Sequence, residues 1–134
     1  MASGWYKAVK QITVKMNQTK LIVEIATVLP ELEPEITRTA NGKNPFAVVR
    51  SVTRYTRKMI EQHNDLMTDK CLKLIGNIYI KGDAVLKTAV TDVFVFSLDA
   101  VLASCILSHR KRLINILPQS LQAVYLKQIY SSAI

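Results

Sequence analysis

Apolar residues recur every three or four positions along most of this chain and almost nowhere in sustained alternation, which is the period of a helix rather than a strand. Trp5, Val9, Ile12 and Met16 step by four, three and four, with Lys7, Lys10 and Lys15 off that stripe. The spacing predicts a peripheral, basic amphipathic helix within residues 1–18. A second helix is expected from a cap at Thr19 to Leu29, with Leu21, Ile22, Ile25, Val28 and Leu29 turned inward. Pro30 stops or bends it, Pro34 opens a short turn of helix, and Asn41-Gly42 ends that turn.

Asn44-Pro45 is a helix start, because Asn caps and proline in the first turn loses no needed hydrogen bond. The helix should run to about His63, with Phe46, Val49, Val52, Thr56, Met59, Ile60 and His63 near one stripe. Asn64-Asp65 breaks it and caps the next helix, Leu66 to Ile80. Gly82-Asp83 is the following boundary, with Asp83 as the N-cap of a long helix to about Ser104. In that helix Ala89, Val93, Phe96, Ala100, Ala103 and Leu107 form one stripe, while Leu86, Val90, Ser97, Val101 and Ser104 form a second. Apolar residues on most sides place it at the centre. Val93-Phe94-Val95-Phe96 alone would read as strand, but the length and the caps around it favour helix. Pro118 starts a last helix with Leu121, Val124, Tyr125 and Ile129 facing inward. The expected class is therefore all-α: one domain over residues 1–134, built as a compact bundle or α/α stack of five to seven antiparallel helices.

Composition agrees with a packed domain, since 134 residues with 49% apolar side chains and few glycines or prolines can bury one core. Cys71 and Cys105 each sit inside an apolar run and read as small buried hydrophobes. No CxxC or HExxH pattern is present, so neither a metal nor any other cofactor is expected. A reducing, cytoplasmic setting follows. The most apolar window, Ala84 to Leu107, is interrupted by Lys87, Asp92 and Asp99, which argues against a transmembrane segment. The formal charge of +8 is unevenly placed: residues 1–20 hold four lysines and no acid, and residues 36–60 hold six cations and no acid. Such asymmetry permits an anionic partner.

Ile75-Gly76-Asn77-Ile78-Tyr79-Ile80-Lys81-Gly82-Asp83 resembles the first helix and turn of a tetratricopeptide unit, in which a small residue lets two helices approach. No second unit recurs at the period near 34 that an array requires, so a single helical hairpin with similar turn chemistry is implied. More broadly, the stretch from Cys71 to Leu98, with Leu117-Pro118 and Leu121, is similar to a family of small uncharacterised bacterial helical domains. That resemblance rests on packing residues and implies no activity.

Arg57 and His63 match the loose Arg, four to six residues, His pattern of HEPN-type helical ribonucleases. The resemblance implies metal-free RNA cleavage, with Arg57 stabilising the phosphate and His63 moving a proton. On one unbroken helix a six-residue step sets the two side chains about 120° apart. The plainer reading makes His63 a helix-terminal residue beside the negative end of the dipole. His109 stands with Arg110, Lys111 and Arg112 in an expected turn, with no nucleophile beside it. Arg50, Arg54, Arg57 and Lys58 make a basic face near Tyr55, suited either to solvent or to phosphates. Asp92 and Asp99 share a helix face, too few ligands for a metal, and are expected to form buried pairs with basic side chains.

No nucleophile, base and orienting group come together in this pattern, so the leading expectation is a non-enzymatic helical protein-interaction domain of unknown function. Its partner would be another protein or a second copy of itself. The two competing expectations are a HEPN-like ribonuclease using Arg57 and His63, and a nucleic-acid or anionic-surface binder using the basic helix 45–63.

Overall fold

A computed structural model describes residues 18–40 and 44–133. Its elements are α1 (Gln18–Val28), a 3-10 turn (Pro30–Leu32), α2 (Glu33–Ala40), α3 (Pro45–Glu61), α4 (Asp65–Lys81), α5 (Ala84–Ala89), a π-helical turn (Val90–Val95), α6 (Leu98–Val101), α7 (Leu107–Ile116) and α8 (Gln119–Ala133). The described residues hold eight α-helices and no strand, so the protein is all-α. The expected helix over Trp5–Met16 and the breaker pair Asn41-Gly42 lie outside the described residues.

Local chemistry accounts for most boundaries. The side-chain oxygen (Oδ1) of Asn44 accepts from the Phe46 and Ala47 N–H groups at 3.0 and 3.4 Å, and Pro45 fills the first turn of α3. Asn64 accepts from Met67 N–H at 3.2 Å, and Asp83 from Leu86 N–H at 2.9 Å. Thr19, by contrast, is not a cap: α1 already includes Gln18, so Thr19 lies inside the helix.

α3 ends by satisfying its own carbonyls. The Asn64 N–H donates to Met59 O at 2.9 Å and the His63 N–H to Ile60 O at 3.0 Å. This is the Schellman pairing, which requires a left-handed residue after the cap. His63 supplies it, at φ 56°. The reversal turns the imidazole out of the apolar stripe that continues through Met59 and Ile60, and His63 is exposed.

α3 is the central element. It packs on α2, α4, α5, the π-turn and α6, while α1 lies across α2 and α4. Its buried row of Val48, Val49, Val52, Thr56, Met59 and Ile60 keeps the helical period. A close approach between helices lies elsewhere: a Cβ on Gly76 in α4 would lie 2.8 Å from Cδ of Pro118, so the small residue admits the proline that leads into α8. At the next corner a Cβ on Gly82 would come within 2.5 Å of Ile78 O. The ammonium of Lys87 reaches back across that corner, donating to the carbonyls of Tyr79 at 2.6 Å and Ile80 at 3.2 Å, 4.8 Å above the centre of the Tyr79 ring.

The expected single helix from Asp83 to Ser104 is the main correction to the fold. It is broken into α5, the π-turn and α6, with the Phe96 N–H donating five residues back to Thr91 O at 3.2 Å. One extra residue in a turn rotates everything beyond it by roughly 100°. The buried row therefore runs Leu86, Ala89, Val90, then Phe94, Val95, Leu98, Val101 and Leu102. Of the stripe that a regular helix would bury, Phe96, Ala100, Ala103 and Leu107 are exposed, with Phe96 at 78%.

Candidate functional site

Two surface depressions lined by polar side chains border α3, one along its length and one at its C-terminal end. The first is a groove of about 340 Å³ between α3 and the π-turn, lined by Arg50, Thr53, Arg54 and Arg57 on one wall and by Asp92, Val93, Ser97 and Val101 on the other. Steps of four and three along α3 set the three arginines on one face. Arg54 is held by Glu35 of α2 at 3.0 Å, and Arg57 by Glu61 one turn on at 3.1 Å. Arg50 has no ion-pair partner among the described residues. Lys58, the fourth member of the expected basic face, is exposed but does not line the groove.

The second depression is a cleft of about 670 Å³ where the end of α3 meets the starts of α4 and α7. His63, Ser104, Cys105, Ser108, His109 and Arg112 converge there, with Ile60 and Ile106 beside them. His109 sits in the first turn of α7, not in a loop, and its Nε2 lies 3.9 Å from Asp65 Oδ1. Arg112 points both terminal nitrogens at one oxygen of Asp69, each at 3.3 Å. These two contacts cross from α7 to α4.

Arg57 and His63 therefore line different depressions: Arg57 faces the groove and His63 the cleft. The angular separation along α3 and the left-handed turn at His63 both drive them apart. Asp92 and Asp99 are exposed, and neither makes an ion pair among the described residues, which corrects the expectation of buried charge pairs. Asp92 faces the arginine groove. Asp99 accepts a hydrogen bond from the Tyr125 hydroxyl instead. Burial, reinforced by that carboxylate, pushes the Tyr125 phenol up to about 12. Burial likewise raises the Tyr55 phenol, whose hydroxyl donates to Glu31.

The cysteines differ. Cys71 is fully buried, and desolvation pushes its thiol up to about 11, which leaves it a packing residue. Cys105 is only partly buried and borders the cleft, contrary to the expectation for an apolar run. Among the described residues no group of three His, Cys, Asp or Glu side chains could hold a metal ion, and no helix is long and apolar enough to cross a membrane. Sequence reasoning missed the cleft as a unit because His63 and His109 come from separate helices, and no local spacing links them.

A family model described as a domain of unknown function, DUF7674, matches residues 22–131. The chain belongs to that family. The DUF7674 match runs from within α1 through nearly all of α8, and so takes in both depressions. It is a family of uncharacterised domains, as the resemblance around Cys71–Leu98 implied, and no tetratricopeptide signature accompanies it. No curated protein and no solved structure matches the chain.

Proposed function

We propose that this DUF7674 chain is a non-enzymatic helical domain that binds another protein, and that the arginine groove of α3 is its docking face. The observation carrying this reading is the mixture of surfaces in that groove. Exposed guanidiniums stand over an apolar floor of Val93 and Val101, and two of them are already oriented by the protein's own carboxylates. A nucleic-acid backbone is best met by unneutralised cations, because affinity comes from displacing counterions. Here Glu35, Glu61 and Asp92 offset much of the local positive charge. Arginines half-paired in this way suit exchange of ion pairs with acidic side chains, while the floor accepts the apolar residues between them. A segment with acidic and apolar side chains at helical spacing has the matching chemistry.

The test is a titration of 15N-labelled protein with a peptide carrying Glu and Leu at i, i+3 and i+4 positions, alongside mixed-sequence RNA in a salt series. Saturating shifts at Arg50, Arg54, Val93 and Val101, abolished by Arg50→Glu with Arg54→Glu, are the expected result. RNA binding with a steep salt dependence at those residues, and no peptide response, would replace the reading with a nucleic-acid one. Silence from both ligands would remove the groove as a docking face.

A further inference from the structure

We propose that the histidine cleft between the end of α3 and the starts of α4 and α7 binds the phosphate group of a small phosphomonoester with an apolar body. This site is separate from the arginine groove and does not depend on it. The argument starts from an inventory of donors. His63 from the turn after α3, and His109 and Arg112 from α7, are nitrogen donors, and Ser104 and Ser108 add hydroxyls. The first turn of α7 has Ile106 at its cap position and no side-chain acceptor for its leading N–H groups. Uncapped N–H groups attract anions, here as an addition to the side chains.

These donors are loosely engaged in the protein alone. His109 is 3.9 Å from Asp65, beyond hydrogen-bond length. Arg112 meets a single Asp69 oxygen at 3.3 Å from each nitrogen, whereas charge-assisted bonds settle near about 2.8 Å. Asp65 is the only carboxylate on the cleft wall, and Asp69 stands behind Arg112. A phosphate group in the cleft would take its hydrogen bonds from His63, His109 and Arg112, which share its lining, with both aspartates as orienting partners.

Size and lining select the rest of the ligand. About 670 Å³ exceeds what a bare oxyanion fills and falls in the range of small-molecule sites. Ile60 forms part of the wall, and Ile106 at the rim is 73% exposed, an apolar surface with nothing on it. The left-handed turn that ends α3 also brings His63 to the cleft wall.

The experiment titrates the full chain with inorganic phosphate, phenyl phosphate and sulfate at pH 6 and pH 8, followed by 15N and imidazole 1H shifts. Sulfate keeps its charge across this range, so any pH dependence seen with it belongs to the protein. Histidine is the side chain that changes charge between pH 5 and 8. The charged groups that line the cleft with the two imidazoles are Asp65 on α4 and Arg112 on α7, and the Cys105 thiol is the remaining titratable group there. Saturating shifts at residues 63 and 104–109 are expected, with sulfate about tenfold weaker at pH 8 than at pH 6. Phenyl phosphate should bind about tenfold tighter than inorganic phosphate through the apolar rim.

His63→Asn keeps the left-handed turn, which asparagine tolerates, and His109→Gln keeps a donor without the charge. Each should weaken phosphate binding at pH 6 about tenfold, while Lys127→Gln should leave it unchanged. Alkylation of Cys105 gives a readout on the wild-type chain that needs no variant. Phosphate should slow it several-fold, with buried Cys71 silent throughout. No saturating shift up to about 50 mM phosphate, far above the range of a weak specific site, would overturn the proposal. So would sulfate affinity that is equal at both pH values, or Cys105 alkylation that phosphate does not slow.

Discussion

The α5–π–α6 segment is the more apolar in sequence, yet it is the α3–α4 hairpin that keeps a regular period. In the hairpin, Asn44 and Asn64 cap the starts, the Schellman turn at His63 closes the end of α3, and the buried residues follow three- and four-residue steps. In the other segment the extra residue of the π-turn shifts the row, so that Phe94 is fully buried and Phe96 is not. The shift also aims Asp92, Val93 and Ser97 at the arginines of α3. A regular helix would have paired a different set of side chains with that face. The irregular segment thus shapes the groove, and the regular one supplies its charge, in keeping with the frequent placement of π-bulges at functional surfaces.

The sharpest way to break this contrast is to truncate its two phenylalanines. Phe94→Ala should cost about 3–5 kcal/mol in denaturant unfolding, and Phe96→Ala should stay within about 0.5 kcal/mol. A reversed order would mean that the segment is a regular α-helix. Within the hairpin, Gly76→Ala should destabilise by about 1–3 kcal/mol, because the overlap with the Pro118 ring outweighs the gain of about 1 kcal/mol in helix propensity. A neutral or stabilising result would show that the ring can yield.

Alkaline titration probes the two regions together through Cys71 in α4 and Tyr125 bonded to Asp99 of α6. Both groups are kept in their neutral forms by the fold, with ionisation raised to about 11 and about 12 from ordinary values of 9.0 and 10.0. Their contribution to stability is present below those ordinary values and is lost as the pH climbs through the raised ones. The thermal midpoint should hold to about pH 9 and fall between about pH 9 and 12. Cys71→Ala should make that fall shallower, and an unchanged slope would remove the thiol from the account. The smallest effect is expected at the hairpin turn. His63→Gly relieves a left-handed backbone but adds unfolded-state freedom, for a net gain of about 0.5 kcal/mol. A loss there would mean that the imidazole contributes contacts of its own.

Much of the fold was legible because its punctuation is chemical. Asn44-Pro45, Asn64, Asp83 and Pro118 each act where the sequence places them, and the all-α class follows from the period between them. The π-turn was not legible, since no residue type demands an extra residue in a helix and the shift goes with packing on α3, α4 and α8, which local spacing does not reveal. The basic face of α3 could be read from spacing alone. Its pairing with Glu35 could not, because that contact joins residues far apart in the chain. The histidine cleft was hidden for the same reason, whereas the separation of Arg57 from His63 could already be read from their six-residue step along one helix. The burial expected of Asp92 and Asp99 assumed a central helix enclosed on every side, whereas the π-turn leaves one side open to water.

Lys87 changes how the +8 formal charge should be understood. Its amine spends its donors on the trailing carbonyls of α4, so this cation is turned inward and serves as a strut between consecutive rods. Tallying basic letters thus overstates the field that an approaching molecule meets. Acetylating that one nitrogen would loosen a corner of the architecture while scarcely altering the outward electrostatics.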